Sequence, residues 1–182
     1  MLNRGCDVSQ VSNARPGAPG FCERERKGEE MKPVIFLRIA SVLTVIHAVL
    51  HTIGGVFGAI PPGPAAVAVA AMKANQILVM GSLRSFWDFY HGMGLGVTIS
   101  LTAEGILMWQ LGSLARVDAR RVRPMCATFL LAYLVLAVNS NAYFFIAPVI
   151  TEILIALCLG AAILTAKSQA ELPAHTQRAV GV

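Results

Sequence analysis

The sequence predicts an all-α membrane protein, a polytopic bundle of four transmembrane helices. Of its 182 residues, 55% are hydrophobic and only 14% are charged, whereas a soluble domain has about 25% charged residues. The apolar residues are also collected into four long blocks, and about 20 consecutive apolar residues are enough for a helix to cross the bilayer core. The predicted spans are about residues 34–60, 86–111, 124–141 and 148–166.

A polar leader, residues 1–32, precedes the first span, and a polar tail, residues 167–182, follows the last one. The leader has no apolar periodicity, which predicts disorder, and the tail is expected to be mobile. The leader has a second interpretation, because the "RKGEE" before Met31 is what a ribosome-binding site looks like when it is translated. Under that hypothesis Met31 is the true start of the protein.

The segment between the first two spans is apolar but interrupted. The first span is followed by "PPGP", residues 61–64, which cannot continue a helix. Residues 65–83 then carry Lys73 near their middle, and a central lysine costs about 2.5–3.5 kcal/mol on insertion scales. We therefore expect a helix that lies at the membrane surface or against the bundle, with an extended loop as the alternative.

The positive charges predict the orientation of the chain. The stretch "ARVDARRVR", residues 115–123, places four arginines between spans two and three. The segment between spans one and two contains only two basic residues, Lys73 and Arg84. The positive-inside rule therefore places both termini and the arginine loop in the cytoplasm of a bacterial cell. The net charge of +5 does not predict a nucleic-acid partner, because these charges form no single basic face.

This topology predicts a polar pocket in the outer leaflet. Counting 1.5 Å per residue along each helix brings polar side chains from all four spans to a similar depth. Polar groups inside a membrane face the bundle because lipid offers them no hydrogen-bonding partners. The expected ligand is a lipid, a quinone or another small apolar molecule. The candidate pocket residues are His47, His51, Asp88, His91, Asn139 and Glu152.

The three histidines of this set are also the only weak candidates for a metal site. His47 and His51 are four residues apart, as two ligands on one helical face would be. They lack the HExxH context that makes such a pair specific, so hydrogen bonds across the bundle are the preferred interpretation. His91 would be the third ligand.

The carboxylates have simpler interpretations as well. Asp88 follows Arg84 by four residues, which favours a local ion pair, and it precedes His91 by three, so that it would orient the ring. Glu152, close to a helix N-terminus, gains from the helix dipole without any chemistry. Glu104 is expected about 24 Å deeper than Asp88, near the inner surface, where it would snorkel or pair with an arginine.

Aromatic residues and glycines predict anchoring and helix packing. The expected interfacial anchors are Arg84, Trp87 and Tyr90 at the outer surface and Trp109 at the inner one, because aromatic belts mark both membrane interfaces. Small residues let helices approach closely. The glycines expected to do so are Gly54, Gly55, Gly92 and Gly96, the last two forming a GxxxG pair.

Two motifs, "HTIGG" at residues 51–55 and "RSFWDFY" at residues 84–90, resemble those of a family of small, uncharacterised bacterial four-helix integral membrane proteins. The resemblance covers about residues 33–166 and implies the fold but no specific activity. The size and helix count are also similar to those of DoxX-like proteins and of sterol-isomerase-type families. Those families use intramembrane histidines and carboxylates around an apolar ligand, and this similarity is one of architecture alone.

Three classes of function follow from the sequence. The preferred one is a binding or transport-accessory protein whose partners are the lipid bilayer and a small apolar ligand, with a homo-oligomer as a further expectation. The first alternative is an integral-membrane enzyme or metal protein that uses the His/Asp/Glu cluster. The second is a structural subunit whose polar residues only fix helix packing. An enzyme is less favoured, because the sequence contains no phosphate-binding loop, nucleophile elbow or zinc-protease motif in a usable context.

Overall fold

A computed structural model describes residues 21–166 of the chain. Within this part of the chain, four helices are long and apolar enough to cross a membrane, which confirms the predicted all-α four-helix architecture. The predictions for residues 1–20 and for the tail from residue 167 onward lie outside the described residues. The four spans are Met31–Val56, Phe86–Leu114, Ala119–Tyr143 and Ile146–Thr165.

The first helix, α1, runs from Phe21 to Leu50 and continues directly into a π-helical turn, His51–Val56. The prediction of disorder is therefore wrong for residues 21–32, whose glutamates, arginines and lysines are good helix formers. The wider turn begins where the Thr52 hydroxyl donates a hydrogen bond to the Ala48 carbonyl at 2.6 Å. Single π turns of this kind are found mostly within α-helices and often at functional sites.

A short helix and a hairpin connect the first two spans. Helix α2, Pro64–Ala74, has no buried residue, so a helix is present in this loop as predicted, while its place at a membrane surface stays a prediction. The hairpin that follows, β1 Gln76–Val79 and β2 Ser82–Ser85, was not predicted. Its two turn residues, Met80 and Gly81, have φ values of 48° and 83°, as a tight two-residue hairpin turn requires.

Three further helices complete the bundle: α3 Phe86–Leu114, α4 Ala119–Tyr143 and α5 Ile146–Thr165. Helix α1 packs against both α3 and α5, and α5 packs against α4, so the spatial order is α3, α1, α5, α4. Helices α3 and α4 are consecutive in sequence, yet they barely contact each other. The bundle is therefore open on the side between α3 and α4.

The core lies toward one end of the bundle. We call the end near Met31, Leu114 and Ala119 the arginine end and the opposite end, near Val56 and Phe86, the histidine end. All buried residues of α3 belong to its second half, toward the arginine end. The first half of α3 is therefore not packed into the core. The main core residues are Val34, Leu37, Ala40, Met108, Leu111, Val122, Cys126, Ile155 and Leu159.

The close helix contacts occur at glycines other than the predicted ones. A Cβ atom added at Gly105 would lie 2.8 Å from Val45 Cγ2 and 3.4 Å from the Ser41 carbonyl oxygen, and one at Gly112 would lie 3.5 Å from Arg38 Cγ. The packing prediction for the four candidate glycines is wrong within the described chain. A Cβ at Gly54, Gly92 or Gly96 would meet no atom within 4 Å, and one at Gly55 would meet only the His51 ring.

Candidate functional site

The register between α1 and α3 determines the depth of each polar residue. His51 Nε2 lies 3.1 Å from the Gly94 carbonyl oxygen, and the Ser41 hydroxyl donates to the Gly105 carbonyl at 2.6 Å. The two helices run antiparallel, so residues before Gly94 lie further out than His51. At 1.5 Å per residue, His91 is roughly 4 Å and Asp88 roughly 9 Å beyond the level of His51.

The predicted common depth is therefore wrong for Asp88, which lies roughly 9 Å beyond His51, whereas His91 lies within about one turn of His51. His47 lies one turn inward of His51, which separates it from His91 by roughly 10 Å and from Asp88 by roughly 15 Å along the helix axis. The error arises because α3 is 29 residues long and extends beyond the end of α1. Counting residues within each span separately does not reveal how far α3 is shifted along its axis relative to α1.

Asp88 is the third residue of α3 and completes its N-terminal capping box, in which Ser85 is the N-cap residue. Its carboxylate accepts a hydrogen bond from the Ser85 backbone N–H at 2.8 Å, and its own N–H donates to the Ser85 hydroxyl oxygen at 3.1 Å. This reciprocal pair is a capping box, which satisfies two of the free N–H groups at a helix start. The predicted ion pair with Arg84 is wrong, because that guanidinium donates to the Leu83 carbonyl instead.

The Ser85→Ala variant is expected to loosen the start of α3. It removes the acceptor for the Asp88 N–H, and loss of a cap costs about 1 kcal/mol. Amide hydrogen exchange should become faster at the first turn of α3, with only a small decrease in thermal stability in detergent. Ser100→Ala, an exposed change in the same helix, is the matched control. Equal exchange rates in both variants would contradict the capping role.

His91 belongs to an aromatic cluster at the histidine end. Its ring lies 5.4 Å from the Phe57 ring and 5.9 Å from the Trp87 ring, and its buried Nδ1 atom has no hydrogen-bond partner among the described residues. The prediction that Asp88 orients His91 is therefore wrong. Trp87 also stacks on Tyr90 at 5.5 Å.

Lys73 joins α2 to this aromatic cluster. Its Nζ atom is 5.0 Å from the Trp87 ring centroid, a cation–π distance. The roles of Arg84, Trp87 and Tyr90 as interfacial anchors stay predictions. Beside the cluster lies an open groove of about 360 Å³, lined by Arg84, Asp88, Phe89, Gly92 and Met93.

Glu152 is the most enclosed of the six candidate residues. Its side chain is only 4% exposed, and its Oε1 atom accepts a hydrogen bond from the Ser140 hydroxyl at 2.8 Å. Its Oε2 atom is buried and has no hydrogen-bond partner among the described residues, and the same holds for His47 Nδ1. Asn139, beside Ser140, is exposed on α4, so its predicted place in an inward-facing pocket is wrong.

The depth of Glu152 follows from the contact between α1 and α4. The Thr44 and Tyr133 hydroxyl oxygens are 3.2 Å apart, and both helices run from that contact toward the histidine end. Ser140 lies seven residues after Tyr133, and His51 lies seven residues after Thr44. Glu152, bonded to Ser140, is therefore close to the level of His51, one turn from His47.

A second polar cluster was missed in the sequence. Tyr133 is fully buried, at 0% exposure, and its hydroxyl donates to Glu104 Oε2 at 2.8 Å while it contacts Thr44. Glu104 lies ten residues before Leu114, roughly 15 Å from the arginine end of α3. The prediction that Glu104 snorkels or pairs with an arginine is wrong, because its partner is Tyr133. A buried tyrosine needs a hydrogen-bond partner for its hydroxyl. The presence of Tyr133 within the third predicted span was therefore the feature of the sequence that could have indicated this cluster.

No metal-binding group is assembled in the part of the chain that the structure describes. There, no three His, Cys, Asp or Glu side chains lie close enough together to hold a metal ion. His47, His51 and His91 are accordingly not gathered into one site.

The fold and the buried polar residues together define the class: a four-helix bundle of membrane-spanning type with ionisable side chains inside it. Comparison of the chain with family models, with curated proteins and with solved structures found no match.

Proposed function

We propose that this chain is a binding protein of the bacterial cytoplasmic membrane, with both termini in the cytoplasm. Its ligand is a small, largely apolar molecule with a polar head, such as a lipid or a quinone, held between the helices at the histidine end. One observation carries the proposal. His47 Nδ1 on α1 and Glu152 Oε2 on α5 are both buried without a hydrogen-bond partner among the described residues.

These two buried atoms destabilise the protein as long as they have no partner. Leaving a buried donor or acceptor without a partner costs about 1–3 kcal/mol for each group, and more for a charged one. Ionisable residues inside a membrane protein therefore indicate a functional site by default. A hydroxyl group on a ligand both donates and accepts, so it can serve a carboxylate and either tautomer of an imidazole.

The packing supplies the space that such a ligand needs. The first half of α3 contributes no buried residue, and α3 and α4 barely contact each other. An apolar tail can therefore lie between these helices with its polar head toward His47 and Glu152. The four arginines of residues 115–123 favour a cytoplasmic arginine end, which puts the histidine end in the outer leaflet.

The test is the amount of small molecule that the purified protein retains. Glu152→Gln keeps the size of the side chain and an acceptor for Ser140 but replaces the second carboxyl oxygen by an amide NH₂ group, which cannot accept a hydrogen bond. It is expected to lower the ligand bound per protein, measured by mass spectrometry of solvent extracts, by roughly tenfold, as loss of a hydrogen bond to a buried group implies. Asn139→Ala, an exposed change at a similar level, is the matched control and should retain the ligand.

Two results would contradict the proposal. One is a parent protein that carries no molecule above the level found on an unrelated membrane protein purified in the same way. The other is equal retention by Glu152→Gln and Asn139→Ala. Circular dichroism and gel filtration establish that both variants are folded, so that a loss of ligand is not a loss of protein structure.

Proton transfer to a membrane-dissolved substrate is a second candidate function. It is favoured by the hydrogen bond between Tyr133 and Glu104, which joins a phenol and a carboxylate inside the bundle. Under this function, a carbon acid recovered with the protein exchanges hydrogen for deuterium in D₂O. Retention of the molecule without such exchange would favour binding alone.

A further inference from the structure

Arg38 is a cation within a membrane-spanning helix, and no carboxylate of the described residues forms an ion pair with it. It lies seven residues after Met31, the start of the first span, or roughly 10 Å into it. Its guanidinium carbon is 4.5 Å from the Trp109 ring centroid, and its buried Nε atom has no hydrogen-bond partner in the described part of the chain. Arginines at such positions pair with an anion or reach toward the interface.

An apolar groove lies beside Arg38 on the surface of α1. Its volume is about 320 Å³ and its lining is almost wholly apolar. The groove extends over residues 35–43, roughly 12 Å along the helix axis. All of its lining residues belong to α1, and Arg38 is one of them, so this open apolar groove follows the helix axis. The lining residues are Ile35, Arg38, Ile39, Val42 and Leu43.

We propose that Arg38, Trp109 and this groove form a binding site for an anionic phospholipid at the arginine end. The phosphate accepts hydrogen bonds from the Arg38 guanidinium, and one acyl chain lies in the groove. Charge complementarity identifies the occupant, because a guanidinium presents a fork of donors that matches phosphate oxygens. This site is at the opposite end of the bundle from the proposed ligand site and does not depend on it.

Trp109 and the arginine loop support this choice of ligand. The indole contacts the face of the guanidinium in a cation–π arrangement, which uses none of the N–H groups in the plane of the guanidinium. The arginines of residues 115–123 follow α3 at the same end, and basic residues next to a span attract anionic lipids. The positions of these charges favour an anionic lipid over a zwitterionic one.

Trp109 also provides a local reporter for the test. The chain contains two tryptophans, so Trp87→Phe leaves Trp109 as the only one. The full chain with this change is placed in phosphatidylcholine vesicles that contain brominated phosphatidylglycerol or, at the same fraction, brominated phosphatidylcholine. Quenching of Trp109 is expected to show a roughly fivefold preference for phosphatidylglycerol, since one basic residue near a membrane surface contributes about 1 kcal/mol.

Further variants of the Trp87→Phe chain distinguish a specific lipid site at Arg38 from general electrostatic attraction between basic residues and anionic lipids. Arg38→Gln should lower the preference to near one, whereas Arg123→Gln, an exposed arginine at the same end, should leave most of it. Val42→Phe fills the groove and should also lower the preference. If Arg38→Gln does not fold, Arg38→Lys replaces it, because it keeps the charge but loses the fork of donors and should lose at least part of the preference.

Several outcomes would overturn the proposal. Equal quenching by the two brominated lipids would exclude selectivity for an anionic lipid. An Arg123→Gln effect as large as that of Arg38→Gln would indicate general attraction to the arginine loop. If Arg38→Lys and Val42→Phe, made separately, both leave the preference for phosphatidylglycerol unchanged, neither the guanidinium contact nor the groove contributes to it. Displacement of phosphatidylglycerol by free inorganic phosphate would indicate a phosphate site and no lipid site.

Discussion

Replacing Gly105 with leucine is expected to destabilise the contact between α1 and α3 severely. Even a single added carbon would lie 2.8 Å from Val45 Cγ2 and 3.4 Å from the Ser41 carbonyl oxygen. The second obstacle is backbone, which cannot rotate away as a side chain can. Overpacking a core costs about 1–3 kcal/mol and occasionally more, and Gly105→Leu should lie at or above the upper limit. Thermal unfolding in detergent, followed by circular dichroism, measures the change.

Gly92→Leu is the matched control for this prediction. It lies in the same helix and makes the same chemical change, but an added Cβ at Gly92 meets nothing within 4 Å. Its unfolding temperature should therefore stay close to that of the parent. A destabilisation of Gly92→Leu equal to that of Gly105→Leu would contradict the observed register of α1 and α3. A decrease in oligomer size caused by Gly92→Leu alone would instead indicate that this glycine packs against a second copy.

The second large effect is expected from Tyr133→Phe. The change removes one hydroxyl, and with it the hydrogen bond to Glu104 and the contact with Thr44. The half-buried Glu104 carboxyl group then loses its donor, and the loss of a partner costs up to about 1–3 kcal/mol when the group is buried. The same hydroxyl bridges α3 and α4, which barely contact each other otherwise, so the variant should also increase the mobility of α3 relative to α4.

A double-mutant cycle isolates the pair from other effects of the substitution. Glu104→Leu removes the hydrogen-bond acceptor and, combined with Tyr133→Phe, gives the coupling energy between the two groups. The double variant should be less destabilised than the sum of the single ones. Leu134→Ala, an exposed neighbour of Tyr133, is the control and should show no coupling to Glu104. A coupling energy near zero would contradict the hydrogen bond.

The architecture was predictable because hydropathy alone determines it. Four blocks of apolar residues are long enough to cross a bilayer, and the observed spans begin and end within about five residues of the predicted limits. The hairpin was missed because residues 76–79 continue an apolar stretch that also suits a helix. Its turn, Met80-Gly81, lacks the Asn-Gly or Asp-Gly pair that marks such turns most clearly.

The site was less predictable, because its geometry depends on which helices are neighbours and in what register. Asp88 and His91 share a face with each other, but the offset between α1 and α3 arises from contacts such as the one between Ser41 and Gly105. Glu104 was assigned to the inner surface because the sequence does not show that α4 places Tyr133 beside it. A helical pattern identifies the face of a residue, and packing alone determines its partner.

The uneven packing of the bundle has a consequence for how a ligand would arrive. The core lies toward the arginine end, while the first half of α3 contributes no buried residue and α3 barely contacts α4. Under the proposed function, a molecule dissolved in the bilayer reaches His47 and Glu152 sideways, through the opening between these two helices. Such a path needs neither a pore nor transfer through water. The rate of binding would then depend on how readily the ligand dissolves in lipid.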